Sequence, residues 1–194
     1  MKRIFRGLAL VAGIAACASA LAAPECASDT FTGEQSCTYG RKSIGLPGIG
    51  NQILTKDGQM TFVRLISRIG REPIDVDAVL FRVDDRRTIQ LTAMNLTRPA
   101  VNCSGSLCTW TWNVAANMPG SVLAELASAE KLVIGFRGDG QTIEEQELRR
   151  GGQIFQKFQD DIRKHEPAVL DSLVGEAFLM EGLQLVPYAP ATTP

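Results

Sequence analysis

The clearest alternation of apolar and polar residues in the chain lies between residues 107 and 114. Trp110, Trp112 and Val114 alternate there with threonine and asparagine, and a period of two is typical of a strand with one buried face. The turn residues Ser104-Gly105-Ser106 precede this run and predict a hairpin. Both tryptophans are therefore expected on the same side of a sheet.

A second hairpin is predicted around Asp57-Gly58, a favoured two-residue turn. The following run, TFVRLISRI, has an ambiguous period, because Phe62, Leu65, Ile66 and Ile69 also fit a helical stripe. The turn before this run and the glycine after it favour a strand. Three later runs also predict strands by alternation or continuous apolar character, namely IDVDAVLFRV, RTIQLTAMNL and KLVIGF.

Helical periodicity is confined to the second half of the chain. A short helix is predicted in SVLAELASAE with Ser121 as its N-cap. Another begins near residue 152, where Phe155, Phe158 and Ile162 recur at helical spacing. Residues 141–148 leave two alternatives open, a capping box that starts a helix or the return strand of a hairpin.

A last helix is predicted from Pro167, which suits the first helical position, to Gly182, which suits the end. Its apolar stripe consists of Leu170, Leu173, Val174, Ala177 and Phe178. The elements together predict an α+β fold, in which an antiparallel β-sheet of meander or sandwich type packs against C-terminal amphipathic helices. Four segments are expected: a signal peptide (1–23), a disulfide-tied N-terminal arm (24–50), a single α+β globular domain (51–183) and a flexible tail (184–194).

The first 23 residues have the pattern of a bacterial secretory signal. Lys2, Arg3 and Arg6 form a basic start, and an apolar run and small residues follow. The run of about ten residues is too short to span a bilayer. The expected location is the periplasm or the outside of the cell.

Ile14-Ala15-Ala16-Cys17 resembles the lipobox of bacterial lipoproteins, an aliphatic residue and two small ones before the cysteine that carries the lipid. The resemblance implies an outer-membrane lipoprotein attached through Cys17. The alternative is ordinary cleavage near Ala22 or Ala23, which removes this cysteine. The membrane is thus a partner only if Cys17 carries a lipid.

Cysteine spacing predicts two local disulfides, Cys26–Cys37 and Cys103–Cys108, because export leads to an oxidising compartment. Ten and four residues separate the members of these pairs, which does not match the ligand spacing of a structural zinc site. No metal or cofactor is predicted.

Charge and composition narrow the functional classes. Removing Lys2, Arg3 and Arg6 from the 20 basic residues leaves 17 against 21 acidic ones, a net charge of −4. A nucleic-acid binder usually has a basic excess, so none is expected as a partner. The chain has one histidine, His165, in a charged segment, and bridged cysteines leave no thiol nucleophile. No catalytic residue is predicted.

The sequence therefore favours a non-enzymatic exported envelope protein that binds a protein partner, as an inhibitor, an immunity-type protein or an assembly factor. Two alternatives stay open. One is a cell-wall or carbohydrate-binding module that stacks sugars on Trp110 and Trp112. The other is a small periplasmic hydrolase whose pocket the sequence does not reveal.

Overall fold

The computed structural model of the protein describes residues 24–28, 30, 34–40, 50–148, 150–181 and 184–190. Antiparallel strands account for 53% of these residues and helices for 18%. The predicted α+β fold with C-terminal amphipathic helices is therefore wrong, because most of the described chain forms two β-sheets. The predicted signal peptide and Cys17 lie outside the described residues.

The strands form two sheets, numbered here in chain order. Sheet I has seven strands, which are β1 (Glu25–Ser28), β2 (Gln35–Tyr39), β3 (Gln52–Lys56), β4 (Gln59–Gly70), β7 (Met94–Asn95), β8 (Ala100–Ser104) and β9 (Leu107–Asn117). Sheet II has six, which are β5 (Ala78–Val83), β6 (Arg87–Thr92), β10 (Leu132–Gly138), β11 (Gln141–Leu148), β12 (Ala177–Glu181) and β13 (Gln184–Pro187).

The order of strands places β4 and β9 in the middle of sheet I. The sequence of neighbours is β1-β2-β3-β4-β9, and both β7 and β8 pair with the far side of β9. In sheet II the order is β11-β10-β5-β6-β12-β13. Residues 141–148 are thus the return strand of a hairpin, and TFVRLISRI is a strand, as favoured above.

Aromatic side chains join the two sheets in one core. Phe62 of sheet I lies 5.4 Å, between ring centroids, from Phe81 of sheet II, and Phe155 contacts both rings. Edge-on ring pairs of this kind add stabilisation beyond the area they bury. The sheets therefore pack face to face, with a helical side chain inserted where they meet.

Two α-helices contribute to this core, α1 (Gly120–Ser128) and α2 (Gln153–His165). Phe155, Phe158 and Ile162 form the buried face of α2, as their spacing predicts. The predicted N-cap of α1 is wrong, because the helix begins two residues earlier and Pro119, not Ser121, occupies the cap.

The predicted last helix is also wrong. Only a 3₁₀ turn, Pro167–Asp171, forms at its start, and residues 177–181 form β12 instead. Gly175 interrupts the segment with a backbone φ of +131°, which residues other than glycine rarely adopt. A Cβ atom added at this position would lie only 2.7 Å from the Asn117 carbonyl oxygen. The apolar run after Gly175 forms β12, which pairs with β6. This pairing satisfies the backbone N–H and C=O groups that β6 would otherwise leave unpaired at the edge of sheet II.

The ends of the described chain also belong to the sheets. Residues 184–187, expected in the flexible tail, form β13 and pair with β12. The expected N-terminal arm supplies β1 and β2, and Cys37 and Tyr39 are buried in the core. Residues 41–49 and 191–194 lie outside the described part.

Both predicted disulfides are confirmed. Cys26–Cys37 joins β1 to β2, and Cys103–Cys108 joins β8 to β9, in each case between directly paired residues. Stable disulfides form in oxidising compartments. The protein therefore belongs to a non-reducing location outside the cytoplasm.

Candidate functional site

The two tryptophans differ in accessibility, although both follow the inner side of β9. Trp112 lies opposite Ile66 of β4 and has no exposed surface. Trp110 lies nearer the end of the strand, is half-buried, and donates its indole N–H to the Gly70 carbonyl oxygen at 3.2 Å. A sugar platform made of both rings is therefore excluded, because Trp112 is part of the core.

A buried arginine occupies the inner face of sheet I between Phe62 and Ile66. Arg64 is 1% exposed and donates from Nη2 to Glu144 Oε1 at 2.6 Å and to Gln146 Oε1 at 2.7 Å, both on β11. Its Nη1 donates to Asn51 Oδ1 at 3.2 Å. These bonds connect the middle of sheet I to the edge strand of sheet II.

The environment of Arg64 is that of a structural charge. Burial lowers the pKa of its guanidinium, and the Glu144 carboxylate partly offsets this effect. The cation also lies 5.3 Å from the ring centroid of Phe136. Because its charged end is already bonded on two sides and closed to solvent, Arg64 stabilises the sheet pairing and is not accessible to a ligand.

A second polar cluster links sheet I to the end of α2. Glu166 Oε1 accepts hydrogen bonds from Tyr39 Oη at 3.0 Å and from Thr55 Oγ1 at 2.8 Å. Burial, together with the Glu166 carboxylate, raises the pKa of Tyr39 above its ordinary value. The sulfurs of Cys26 and Cys37 lie within 4.8 Å of this carboxylate. They are bonded to each other, so they offer no thiolate to a metal.

The single histidine lies at an exposed helix end. His165 is the exposed last residue of α2, beside two other basic residues. Within the described part of the chain, no hydrogen bond joins it to a hydroxyl or carboxylate that it could activate as a nucleophile.

The outer face of sheet I has an unusual composition. Along β4 the side chains at even positions from 60 to 66 are buried, and those at odd positions point away from the core. Cross-strand hydroxyl contacts mark this outer side: Ser67 Oγ lies 3.1 Å from Thr111 Oγ1. We call the part of this side on β4, β7 and β9 the uncharged face, which comprises Thr61, Val63, Leu65, Ser67, Ile69, Met94, Leu107, Thr109, Thr111, Asn113 and Asn117. Beyond this part, Glu25 of β1 and Lys56 of β3 lie on the same side of the sheet.

Several large apolar side chains of the uncharged face are open to solvent. Ile69 is 66% exposed, Leu107 54% and Met94 41%. Ile69 lies opposite Thr109 and Met94 opposite Ala115, so these side chains are spread along β9. The centres of protein interfaces are depleted in charged residues, which this part of the sheet also lacks. The uncharged face combines these apolar side chains with short hydroxyl and amide side chains and has no Asp, Glu, Lys or Arg.

The opposite surface of the molecule, the outer face of sheet II, is charged. Arg82 Nη2 lies 2.9 Å from Glu145 Oε1 across β10, and Arg137 Nε lies 3.7 Å from Asp77 Oδ1. A shallow groove of about 230 Å³ runs beside the first pair. The two outer faces therefore differ sharply in polarity.

Comparisons with known proteins supply no further constraint. No protein-family model matches the chain, no curated protein matches it, and no solved structure matches it. Among the described residues, no helix is both long and apolar enough to cross a bilayer.

Proposed function

We propose that this protein is an exported, non-enzymatic envelope protein that binds a protein partner through the uncharged face of sheet I. The observation that supports the proposal is the contrast between the two outer faces of the molecule. The outer face of sheet II has ion pairs next to a groove lined partly by Leu80, Val133 and Met180, whereas β4 and β9 expose uncharged polar and large aliphatic side chains.

The composition of the uncharged face suits a protein better than a charged ligand. The centres of protein interfaces are depleted in charged residues, because each charge buried without a partner has a high desolvation cost. A flat sheet surface also offers contact over a wide area rather than a pocket. The partner is therefore expected to present an uncharged, largely apolar surface of its own.

The proposed location is the periplasm or the outside of the cell, after ordinary cleavage of the signal peptide. The two disulfides support a non-reducing compartment. Attachment to the outer membrane through a lipid on Cys17 is the alternative outcome of processing.

Site-specific photo-cross-linking in living cells tests the proposal. A photoreactive amino acid replaces Ser67 on the uncharged face in one variant and Glu147, exposed on the outer face of sheet II, in the control variant. We expect a defined cross-linked product from position 67 and none from position 147.

A second substitution links that product to the chemistry of the face. Thr111→Asp places a charge beside position 67, with which Thr111 is directly paired. It should lower the cross-linking yield by about tenfold or more, because the carboxylate loses water on binding. Thr142→Asp, on β11 of sheet II, is the matched control and should leave the yield unchanged. Equal products from positions 67 and 147, or no product from position 67, would rule out the uncharged face as the docking surface.

A further inference from the structure

The edge strands of the two sheets differ in how well they are protected against pairing with another chain. β11 has three glutamates and its pairing with β10 is interrupted by a bulge, and β13 is short and ends at Pro187. β1 is a four-residue strand with Glu25. Charges, bulges, proline and short length are the usual means of preventing edge-to-edge pairing.

β8 is one residue longer than β1 and β13 and has no charged residue, bulge or proline within the strand. Its sequence is Ala-Val-Asn-Cys-Ser, and all five residues are exposed. It pairs with β9 on one side, and in the described part of the chain no strand pairs with its other side. Pro99 directly precedes the strand and limits it to these residues.

The turn of the β8–β9 hairpin determines which backbone groups point outward. Gly105 has φ +64° and Ser106 does not have a positive φ, which is the pattern of a type II′ turn. In such a two-residue hairpin the pair beside the turn, Ser104 and Leu107, exchanges hydrogen bonds, and bonded pairs then alternate. The N–H and C=O groups of Val101 and Cys103 therefore point away from β9.

These outward groups are arranged symmetrically about Asn102. If a second copy approaches antiparallel with a two-fold axis at Asn102, Val101 of each copy lies opposite Cys103 of the other. Both outward N–H groups and both outward carbonyls of each strand then find partners. Because the strand has no charged side chain, no like charges meet across the axis.

We propose that two copies of this chain pair through β8, in antiparallel register about Asn102, to join their seven-stranded sheets into one continuous sheet. The uncharged faces of the two copies then form one surface. The contact uses backbone atoms of the edge strand and not the uncharged face itself. The proposed dimer can therefore be tested independently of the proposed function.

Sedimentation of the purified, disulfide-intact mature chain over a range of concentrations tests the pairing. A five-residue strand buries less area than a stable dimer interface, so we expect a reversible dimer with a Kd between about 10 µM and 1 mM. Hydrogen exchange of the Val101 and Cys103 amides should slow as concentration rises, whereas exchange of Asn102, whose N–H is bonded to β9, should not change.

Matched variants identify the surface. Asn102→Asp brings two carboxylates to directly opposite positions, about 5 Å apart between Cα atoms, and should raise the Kd about tenfold or more. The control Thr109→Asp, on the strand behind, separates the charges by about 14 Å, beyond the screening length at physiological salt. It should leave the Kd nearly unchanged.

A backbone variant gives an independent result. Val101→Pro removes an outward N–H without removing a bond to β9, and edge strands tolerate proline at such positions. It should abolish the dimer while the circular dichroism spectrum stays native. A mass that stays monomeric up to about 1 mM, or a dimer that neither Asn102→Asp nor Val101→Pro weakens, would overturn the proposal.

Discussion

Arg64 shows how a single buried charge can connect two sheets. Its side chain lies on the inner face of β4, where its neighbours Phe62 and Ile66 are apolar, and its bonds to Glu144 and Gln146 replace the water lost on burial. Breaking one half of such a pair is costly, because the remaining charge lacks a partner. Glu144, with 24% of its side chain exposed, keeps some access to solvent.

We predict that Arg64→Leu lowers the free energy of unfolding by about 2–4 kcal/mol, through loss of the pair with Glu144. The double variant Arg64→Leu/Glu144→Leu should recover part of this loss, because it removes the unpaired carboxylate. Urea denaturation of both variants and the wild type provides the measurement. An Arg64→Leu protein as stable as the wild type would show that the buried pair contributes nothing.

The burial of individual side chains can also be tested through the pH dependence of stability, using the two tyrosines. Burial raises the pKa of both Tyr39 and Tyr188, and a hydrogen bond from each hydroxyl to a glutamate adds to the shift. The unfolded chain therefore releases its phenolic protons at lower pH than the folded chain. Stability that is complete below about pH 10 must fall as the pH rises beyond the ordinary tyrosine pKa.

We predict that tyrosinate absorbance appears together with alkaline unfolding and not before it. Parallel titrations followed by ultraviolet absorbance and circular dichroism measure the two events. Tyrosinate formation with a midpoint near pH 10 in a protein that is still folded would contradict the buried hydrogen bonds.

The tryptophans show the limit of prediction at the residue scale. Alternation correctly indicates one face for Trp110 and Trp112, but only Trp112 is fully buried. How much of each ring is covered depends on the packing of distant elements, which local alternation does not describe. The burial of Arg64 is equally hard to predict. A charged residue at an inner position of β4 breaks the alternation of apolar and polar residues, and this is one reason why the period of that strand is ambiguous.

At the scale of elements, turn chemistry is the most reliable signal in this sequence. Asp57-Gly58 and Asp139-Gly140 both have positive φ at both residues, as type I′ turns require, and each joins two paired strands. The C-terminal segment misleads because an apolar run at residues 177–180 fits a helical stripe and a strand equally well. The segment forms a strand because it pairs with the free edge of β6, which lies about 90 residues earlier in the sequence.

Close backbone approaches fix how the helices dock. A Cβ added at Gly120, the first residue of α1, would lie 1.7 Å from the Leu170 carbonyl oxygen. The backbone N–H of Gly120 donates a hydrogen bond to the Ser172 carbonyl oxygen at 2.9 Å. The start of α1 and the 3₁₀ turn therefore meet at a position where only glycine fits.

We predict that Gly120→Ala lowers the free energy of unfolding by about 2–4 kcal/mol, because backbone must move to relieve the overlap. The control is Gly70→Ala, where the nearest atom to the added Cβ is 3.7 Å away. It should change stability by no more than about 0.5 kcal/mol. Equal thermal midpoints for the two variants would contradict this account of the docking.

For the whole molecule, the difference between the two outer faces is the feature that sequence patterns describe least well. Val63 and Leu65 resemble core residues in the sequence, and only the packed sheets show that they lie outside. The order of strands in each sheet is likewise beyond local patterns, because β4 pairs with residues of β9 that lie 38 to 56 positions later, from Gly70–Cys108 to Thr61–Asn117. Export signals and disulfides, by contrast, depend on local motifs and spacing.

We predict that intact-mass spectrometry of the protein from its native envelope gives a chain that begins near Ala23 or Pro24, with the mass lowered by the hydrogens lost to two disulfides. Reduction should restore those hydrogens. A mass that begins at a lipid-modified Cys17 would instead establish the membrane-attached form.

The hydrogen bond between Tyr39 and Glu166 spans 127 residues of sequence, and it affects the order in which this chain can fold. In the export route proposed above, the N-terminus crosses the membrane first, so β2 emerges long before the end of α2. Contacts of such long range form late and slow folding. Sheet I pairs within residues 25–117, but its link to α2 closes only after nearly the whole chain has emerged, and a sheet without its cover is more prone to aggregation during that interval.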